Sequence, residues 1–267
     1  MSSARPTVLD RILAETREEV ARRKREEPLE AVSSPQARRG RFAAALGRPG
    51  IGVIAEFKRR SPSAGALREE PDLRAILGAY ERGGAVAVSV LTEGPNFEGS
   101  LADLRLAAAA SELPRLRKDF IVDEYQLREA LLAGADAVLL IVAALSEAEL
   151  ASLHGAARAM GLDVLVEVHD REELDRALGL GAGIIGINNR DLRDFSVDVG
   201  RTERLMEQMP SGVTVVSESG IVAADQLERL LGLGVQAVLV GELLMRSADP
   251  ERALRELTTF SDSGAVL

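Results

Sequence analysis

Cysteine and tryptophan are absent from this 267-residue chain, and it has only two histidines, His154 and His169. The absence of cysteine excludes disulfides, thiolate metal ligands and thiol nucleophiles, and it gives no sign of an oxidising compartment. Two histidines also argue against a zinc site or a histidine cluster. We therefore expect a protein that holds no metal.

Lysine is scarce as well, since only Lys24, Lys58 and Lys118 are lysines among 33 cationic residues and the rest are arginine. Such a bias is typical of GC-rich coding sequences. A position that keeps lysine against this bias is a candidate for chemistry that needs a compact ammonium group rather than a planar guanidinium group. Acidic residues number 42, so the net charge is −9. This charge argues against a nucleic-acid partner and against a basic membrane-binding surface.

No stretch of about 18 uncharged apolar residues occurs in the chain, so we expect no membrane span. Residues 1–10 lack a basic start followed by an apolar run, and no signal peptide is predicted. The expected compartment is therefore the cytoplasm. Apolar residues make up 46% of the chain and charged residues 28%, which is a composition typical of a folded globular protein.

From Ile51 onward, short runs rich in valine, isoleucine and leucine alternate with longer amphipathic stretches. A period of two predicts strands, and a period near 3.6 predicts helices. The predicted strands are 53–57, 85–91, 115–117, 137–142, 163–168, 184–188, 213–217 and 237–240. The predicted helices are 72–82, 100–111, 124–133, 146–160, 171–180, 201–209, 224–231 and 250–257.

Eight strand–helix units indicate an α/β protein built as a single closed (β/α)8 TIM barrel, because an open doubly wound sheet usually has fewer strands. We assign residues 51–260 to this barrel, which is close to the usual size of such a domain. Residues 1–50 are predicted to form a helical N-terminal extension with helices at 8–27 and 41–46. Residues 261–267 are expected to form a disordered tail.

Polar residues follow every predicted strand except the fourth, and in a TIM barrel the active site lies where the strands run into the following helices. The alternation of strand residues places Glu56 and Lys58 on one face, and it places Glu167 opposite the three valines of its strand. Glu167 is therefore predicted to point into the barrel mouth, as a functional carboxylate or as part of an ion-pair network that closes the barrel top. His169, one step beyond, is predicted to be a loop or rim residue.

Small residues follow the last two strands, at Ser219–Gly220 and at Gly241. Free backbone N–H groups at these points would suit a phosphate monoester, and the alternative is that these are ordinary turn glycines. The G-x-G-x-x-G pattern at 181–186 follows a helix and enters a strand, which is the reverse of the dinucleotide-binding order, so it is not assigned to a nucleotide. Ser219 lacks the G-x-S-x-G pattern, and a serine hydrolase is not expected.

Taken in order, the motifs at the barrel mouth resemble those of the indole-3-glycerol-phosphate synthase family of tryptophan biosynthesis. They are IAEFKRRSPSAG (54–65), SVLT (89–92) with FEGS (97–100), LRKDFI (116–121), LVEVH (165–169), INNRDL (187–192), SESGI (217–221) and VGE (240–242). The resemblance covers the whole barrel and extends to the N-terminal helical segment. Two departures, Asn96 in place of an aromatic residue and Phe57 in place of a smaller aliphatic one, are expected to affect substrate packing and affinity rather than reaction type.

The resemblance implies a carboxy-lyase that converts 1-(2-carboxyphenylamino)-1-deoxyribulose 5-phosphate into indole-3-glycerol phosphate, releasing carbon dioxide and water without a cofactor or metal. It implies that Lys118 is the general acid that protonates the carbonyl oxygen and that Glu167 is the acid–base group in the dehydration. The resemblance implies that Lys58 binds substrate anions and takes part in proton transfer, and that Glu56 and Glu218 hold the ammonium groups in place. It implies that Asn188 and Ser219 orient hydroxyl and amine groups and that Arg190 gives electrostatic support. The residues implied to contact the rest of the substrate are Phe97 and, at the phosphate, Ser61, Gly220 and Gly241.

Two other functions stay open at this point. A catalytically silent barrel could bind a phosphorylated ligand or a partner protein, although a mere binder would not need the full set of lysines and glutamates at the mouth. A phosphoribosylanthranilate isomerase is a phosphate-binding barrel of the same pathway, but the acid–base pair associated with it includes a cysteine, which this chain lacks. We expect a small phosphorylated substrate as the partner, and a monomeric protein.

Overall fold

The computed structural model describes residues 7–29 and 38–259, and the tail predicted at 261–267 lies outside these residues. At its centre is a closed barrel of eight parallel strands, which follow one another around the barrel in chain order. The strands are β1 (Gly52–Phe57), β2 (Ala87–Leu91), β3 (Arg115–Lys118), β4 (Ala137–Ile141), β5 (Asp163–Val168), β6 (Ile184–Asn188), β7 (Thr214–Glu218) and β8 (Ala237–Val240). The predicted TIM barrel is confirmed.

Helices surround the barrel, and two of them precede it. They are α1 (Val8–Glu26), α2 (Arg41–Leu46), α3 (Leu73–Gly83), α4 (Leu101–Ala110), α5 (Glu124–Leu132), α6 (Glu147–Ala159), α7 (Arg171–Gly179), α8 (Arg201–Met206), α9 (Ala224–Gly232), α10 (Glu242–Arg246) and α11 (Pro250–Thr258). Most begin at an Asp, Ser or Thr whose side chain accepts a backbone N–H of the first turn, as at Asp72, Ser100 and Asp170. No helix of the described residues combines the length and the apolarity that crossing a membrane requires.

Several element ends differ from the prediction, and each difference has a local cause. Gly84 adopts a left-handed φ of 92° at the end of α3, so β2 begins at Ala87 rather than at residue 85. Strand β3 continues to Lys118 because this residue pairs with Leu91 of β2. Helix α8 ends at Met206 because the residues after it bond to carbonyls three positions back, in a tightened turn before Pro210.

Helix α2 covers the end of the barrel opposite the predicted mouth. Its Phe42 is fully buried in the core. The Ala43 N–H donates to Asp163 at the start of β5 (3.0 Å), and Arg41 pairs with Asp136 just before β4 (3.3 Å). Because both carboxylates stand at the amino-terminal ends of strands, α2 leaves the carboxyl-terminal ends free to form a site.

Helix α1 is joined to the barrel through charged residues of α5. Lys24 pairs with Asp123 (2.8 Å), and Arg23 lies 3.4 Å from Glu129. Glu129 in turn contacts the fully buried Arg117 of β3 (3.2 Å). A buried guanidinium group is tolerated only when it is paired and hydrogen-bonded, so this network fixes the strand that carries Lys118.

Candidate active site

A cavity of about 440 Å³ opens at the carboxyl-terminal ends of the strands. All twelve site residues predicted from the sequence line it: Glu56, Lys58, Ser61, Phe97, Lys118, Glu167, Asn188, Arg190, Glu218, Ser219, Gly220 and Gly241. They come from strands and loops on every side of the barrel except that of β4. The strand-end prediction therefore located the cavity correctly.

The ammonium group of Lys118 lies between two buried carboxylates at the centre of the cavity. Its Nζ is 3.4 Å from Oε2 of Glu167 and 3.3 Å from Oε2 of Glu218. Gly186 of β6 makes room for this arrangement, because a Cβ there would stand 2.2 Å from Oε1 of Glu218. Neither oxygen of Glu218 accepts a hydrogen bond of good geometry from the described residues. Both oxygens are buried, and the charge of Lys118 is the nearest compensation for Oε2.

The two carboxyl groups around Lys118 differ in charge state. Burial alone would raise the pKa of Glu167, but Lys118, His169 and Asn188 together lower it below its ordinary value. Burial raises the pKa of Glu218 to about 8, and the neighbouring Glu167 and Glu56 add to the effect against the attraction of Lys118. Burial would lower the pKa of Lys118, yet the surrounding glutamates raise it. The site thus combines a carboxyl group whose pKa is lowered, a carboxyl group whose pKa is raised, and an ammonium group between them.

Glu56 and Lys58 form a second ion pair beside the first. Nζ of Lys58 lies 2.8 Å from Oε1 of Glu56, and Ser89 of β2 contacts the other oxygen at 3.4 Å. Gly241, at the end of β8, permits this packing, because a Cβ there would lie 2.4 Å from Glu56 Oε1 and 3.1 Å from Lys58 Nζ. The need for glycine at Gly241 therefore comes from its own neighbours in the barrel, whatever ligand binds.

Glu167 has two further polar neighbours. The side-chain amide of Asn188 donates to its Oε1 at 3.1 Å, and Nε2 of His169 lies 3.3 Å from the same oxygen. His169 directly follows β5, as predicted, but its side chain is only 6% exposed. Of the two predicted positions, a loop or the rim, the structure shows the loop, and Glu173 of α7 covers the side chain there.

The backbone at Ser219 and Gly220 is left-handed at both residues, with φ values of 65° and 80°. A left-handed serine is strained, and Asn189 supports it by donating to the Ser219 carbonyl at 3.1 Å. Gln226 of α9 holds the rest of the loop, because its amide oxygen accepts the Val222 N–H at 2.7 Å and its amide nitrogen donates to the Gly220 carbonyl at 3.1 Å. The loop is thus fixed in shape without a ligand.

The loop after β3 is built in the same way as the loop after β7. Residues 118–127 (KDFIVDEYQL) and 218–227 (ESGIVAADQL) match at Ile, Val, Gln and Leu. Gln126 accepts the Val122 N–H at 2.8 Å and donates to the Phe120 carbonyl at 2.9 Å, as Gln226 does at its own loop. The repeat at a spacing of 100 residues was the sequence signal that would have identified both glutamines. Phe120 and Gly220 occupy equivalent positions in the two loops, so the loop after β3 carries a large side chain where the loop after β7 carries none.

Arginines line one side of the cavity. Arg190 donates to Ser63 Oγ (3.1 Å) and to the Phe195 carbonyl (3.2 Å), and it lies 4.0 Å from Glu242. Arg246 of α10 also lines the cavity and contacts Glu242 at 3.1 Å. Arg246 was not among the residues predicted from the strand ends, because it lies six residues beyond the end of β8.

An apolar wall faces these charges. Phe97 and Phe120 lie with their ring centroids 6.4 Å apart. The other apolar residues of the wall are Leu91, Leu139, Ile141 and Leu239. The alternation of strand residues could have identified them, because every second residue near a strand end points inward.

The two departures noted in the sequence lie outside the cavity lining. Phe57 is buried on the opposite face of β1 from Glu56 and Lys58, with the Arg59 guanidinium 5.2 Å from its ring centroid. Asn96 donates through its backbone and its side chain to the buried Glu93, both at 2.8 Å. Phe57 packs behind the barrel wall and Asn96 fixes the loop that presents Phe97, so any effect of either residue on substrate packing is indirect.

The arrangement offers acid–base chemistry on an anionic, partly aromatic ligand. It combines two ammonium groups, two carboxyl groups with opposite pKa shifts, arginines at one side and an aromatic wall. Among residues 7–29 and 38–259, no group of three or more His, Asp or Glu side chains is arranged to hold a metal ion.

Comparisons with known proteins agree with this geometry. The family model described as indole-3-glycerol phosphate synthase matches residues 9–257. Indole-3-glycerol phosphate synthase 2 of Streptomyces coelicolor is 53% identical over 227 residues, covering 85% of this chain and 87% of its own length. The indole-3-glycerol phosphate synthase of Mycobacteroides abscessus is 47% identical over 256 residues, covering 95% of this chain and 94% of its own.

Solved structures support the fold alone. The 3-hexulose-6-phosphate synthase from Salmonella typhimurium has a TM-score of 0.60 at 14% identity, with 80% of this chain and 99% of that chain covered. A thiamine phosphate pyrophosphorylase from Pyrococcus furiosus has a TM-score of 0.59 at 18% identity, with 81% and 98% covered. With a family model that spans the barrel and relatives at about half identity, the chain belongs to the indole-3-glycerol phosphate synthase family.

Proposed function

We propose that this chain is an indole-3-glycerol phosphate synthase that closes the indole ring of 1-(2-carboxyphenylamino)-1-deoxyribulose 5-phosphate. The observation that carries the proposal is the position of Lys118, whose ammonium group stands between Glu167 and Glu218 on the floor of the cavity. An acid and a base lie there within reach of one reacting centre, below a wall that suits an aromatic ring.

In the proposed complex, the aromatic ring of the substrate packs against Phe97 and Phe120. Its carboxylate faces Lys58, whose partner Glu56 holds the ammonium group in place. The phosphate lies at the other end of the cavity. The residues that line the cavity at this end are Ser61, Gly220, Gly241 and Arg246. Asn188 and Ser219 orient the hydroxyl and amine groups, and Arg190 supports the charge balance.

Ring closure joins the carboxylate-bearing aromatic carbon to the ketone carbon. As this bond forms, the carbonyl oxygen takes a proton from Lys118, and the carboxylate then leaves as carbon dioxide, so that its bonding electrons restore the aromatic ring. A lysine with a raised pKa can serve here, because the alkoxide that would otherwise form is a stronger base than an amine. General acids contribute about 10²–10⁴-fold to such steps.

Dehydration completes the reaction. The new hydroxyl group leaves as water with a proton supplied by a neighbouring ammonium group, and Glu167 accepts a proton from the ring. Its lowered pKa keeps it ionised and ready to act as a base at neutral pH. Atoms balance with one carbon dioxide and one water released.

The test is the appearance of indole fluorescence when the purified chain meets this substrate. The chain contains no tryptophan to obscure the signal. Turnover supports the proposal. Binding of the substrate without turnover would favour a silent barrel, and conversion of phosphoribosylanthranilate in its place would favour the isomerase; either result would overturn it.

We also propose that the protein acts as a monomer in the cytoplasm on this phosphorylated substrate. Large apolar side chains with substantial exposure are few among the described residues, namely Leu132, Val197, Val199, Val222 and Leu233. Val197 and Val199 lie together beside Gly220, and so small a number of exposed apolar side chains is ordinary for a monomer. A molar mass near 28.5 kDa by light scattering supports this state, and twice that value would contradict it.

A further inference from the structure

His169 lies behind Glu167 and away from the substrate cavity. Its side chain is 6% exposed and is absent from the cavity lining, whereas Glu167 lines it. Nε2 stands 3.3 Å from Oε1 of Glu167. Any effect of His169 on catalysis must therefore pass through the Glu167 carboxylate.

A second carboxylate holds the imidazole from the other side. Oε2 of Glu173 lies 3.0 Å from Nδ1 of His169 and also accepts the His169 backbone N–H at 2.8 Å. Glu173 stands in the first turn of α7, where its own N–H is capped by Asp170 at 3.0 Å. The ring is thus fixed between a buried carboxylate and one whose side chain is 14% exposed.

The charged groups around His169 come from four elements. Glu167 of β5 and Glu173 of α7 face the imidazole directly. Lys118 of β3 reaches the far oxygen of Glu167 at 3.4 Å. Arg193, in the loop after β6, is close enough to interact with the charges of Glu173 and Asp170. Two carboxylates facing one imidazole favour its protonated form.

We propose that His169 is a positioning residue for Glu167, with Glu173 as the outer carboxylate that fixes the imidazole ring. The proposal rests on the proposed function, in which Glu167 is the base of the dehydration. A protonated His169 attracts the Oε1 side of Glu167 at 3.3 Å, an ion-pair distance without the alignment of a hydrogen bond, while Lys118 and the substrate share the other side. The carboxylate is thereby kept ionised and in one orientation.

The charge states agree with this role. Burial would lower the pKa of His169, but Glu167 and Glu173 raise it to about 10. His154, the other histidine, is buried beside Arg158 and forms no ion pair with a carboxylate of the described residues, and both burial and this arginine lower its pKa. The protein therefore contains a matched pair of histidines with opposite expected shifts.

An NMR titration of the imidazole signals tests the coupling without any turnover. The two signals are assigned with His169→Gln. We expect the His169 signal to stay in the imidazolium position at pH 8 in the unmodified protein, and its pKa to fall by at least about one unit in Glu167→Gln. Glu173→Gln should lower it as well, which keeps the test valid if Glu167→Gln folds poorly. A His169 pKa near 6.5 that is the same in all three proteins would overturn the proposal.

Kinetics provide the second test. In His169→Gln, loss of the positive charge should raise the acidic limb of kcat/KM by about 1–3 pH units. Loss of the fixed orientation of Glu167 should lower kcat at neutral pH and leave KM within about threefold. Glu173→Gln should move the limb in the same direction by less. The control is Asp175→Asn, which removes a carboxylate from the same helix where it pairs only with Arg171 at the surface (2.9 Å), and it should change nothing.

Different results would refute the proposed function and the inference about His169. If the unmodified protein forms no indole product, the proposed function is wrong, while the NMR coupling can still be measured. If the unmodified protein is active but the His169→Gln pH profile has the same shape and only a lower height, His169 is merely structural and the inference is wrong.

Discussion

Replacing Lys118 by arginine separates proton donation from positive charge. Both side chains are cationic, but arginine stays protonated in proteins and cannot act as a general acid. The Lys118 ammonium group is compact and sits 3.3–3.4 Å from two different carboxylates. A planar guanidinium group favours bidentate pairing with one carboxylate, so the substitution also disturbs the sharing between Glu167 and Glu218.

The expected loss follows from the role assigned to the proton. A general acid contributes about 10²–10⁴-fold, which corresponds to roughly 2.7–5.4 kcal/mol of activation free energy. We therefore expect Lys118→Arg to reduce kcat at least about 10²-fold. KM should change by less than about threefold, since the charge that attracts the anionic substrate is retained.

The assay is indole fluorescence under steady-state and single-turnover conditions. The chain offers a matched control in Lys24→Arg, because Lys24 makes the same kind of ion pair, with Asp123 at 2.8 Å, on the surface of α1. This control should keep full activity and an unchanged melting temperature. A Lys118→Arg protein with turnover within tenfold of the original would remove Lys118 from the acid role and leave it only an electrostatic one.

Three further substitutions follow from the same geometry. Glu167→Gln should lower kcat at least about 10²-fold while substrate binding stays measurable by calorimetry, since an ionised base is lost; unchanged kinetics would refute its role. Glu218→Gln should retain at least tenfold more turnover than Glu167→Gln at pH 7, because the raised pKa of Glu218 favours its neutral form there. A Glu218→Gln variant slower than Glu167→Gln would contradict these charge states. Gly241→Ala places a methyl group 2.4 Å from the Glu56 carboxylate and 3.1 Å from the Lys58 ammonium group. We therefore expect kcat to fall with little change in far-UV circular dichroism. Full activity would show that the Glu56–Lys58 ion pair can move freely.

The sequence predicted the barrel and its mouth because both depend on short-range patterns. Alternation along β5 orients Glu167 inward once its valines are assigned to the helix side, and the structure agrees. The same rule, applied to β1, would have placed Phe57 behind the wall, since it stands between the inward Glu56 and Lys58. The expectation for Phe57 came from the family pattern, which does not say on which face of the strand the residue lies.

Contacts between strands distant in the chain were beyond the sequence. The sequence places Lys118 at a strand end, but only the closed barrel brings it between Glu167 and Glu218, from the strands β5 and β7. His169 illustrates the same limit. Its burial depends on Glu173 reaching back from α7, which a strand pattern that ends at Val168 does not describe.

The charge balance of the site explains how a protein of net charge −9 can bind an anionic substrate. With Glu218 protonated, the ammonium groups of Lys58 and Lys118 are matched by Glu56 and Glu167, so the centre of the cavity is close to neutral. A substrate carboxylate entering beside Lys58 then meets no excess of negative charge, and Glu218 can donate a hydrogen bond to it or to the reacting oxygen. An ionised Glu218 would add a third carboxylate beside the two ammonium groups and weaken their attraction for an anion. Burial, by raising the pKa of Glu218, therefore reduces the negative charge that the substrate carboxylate meets.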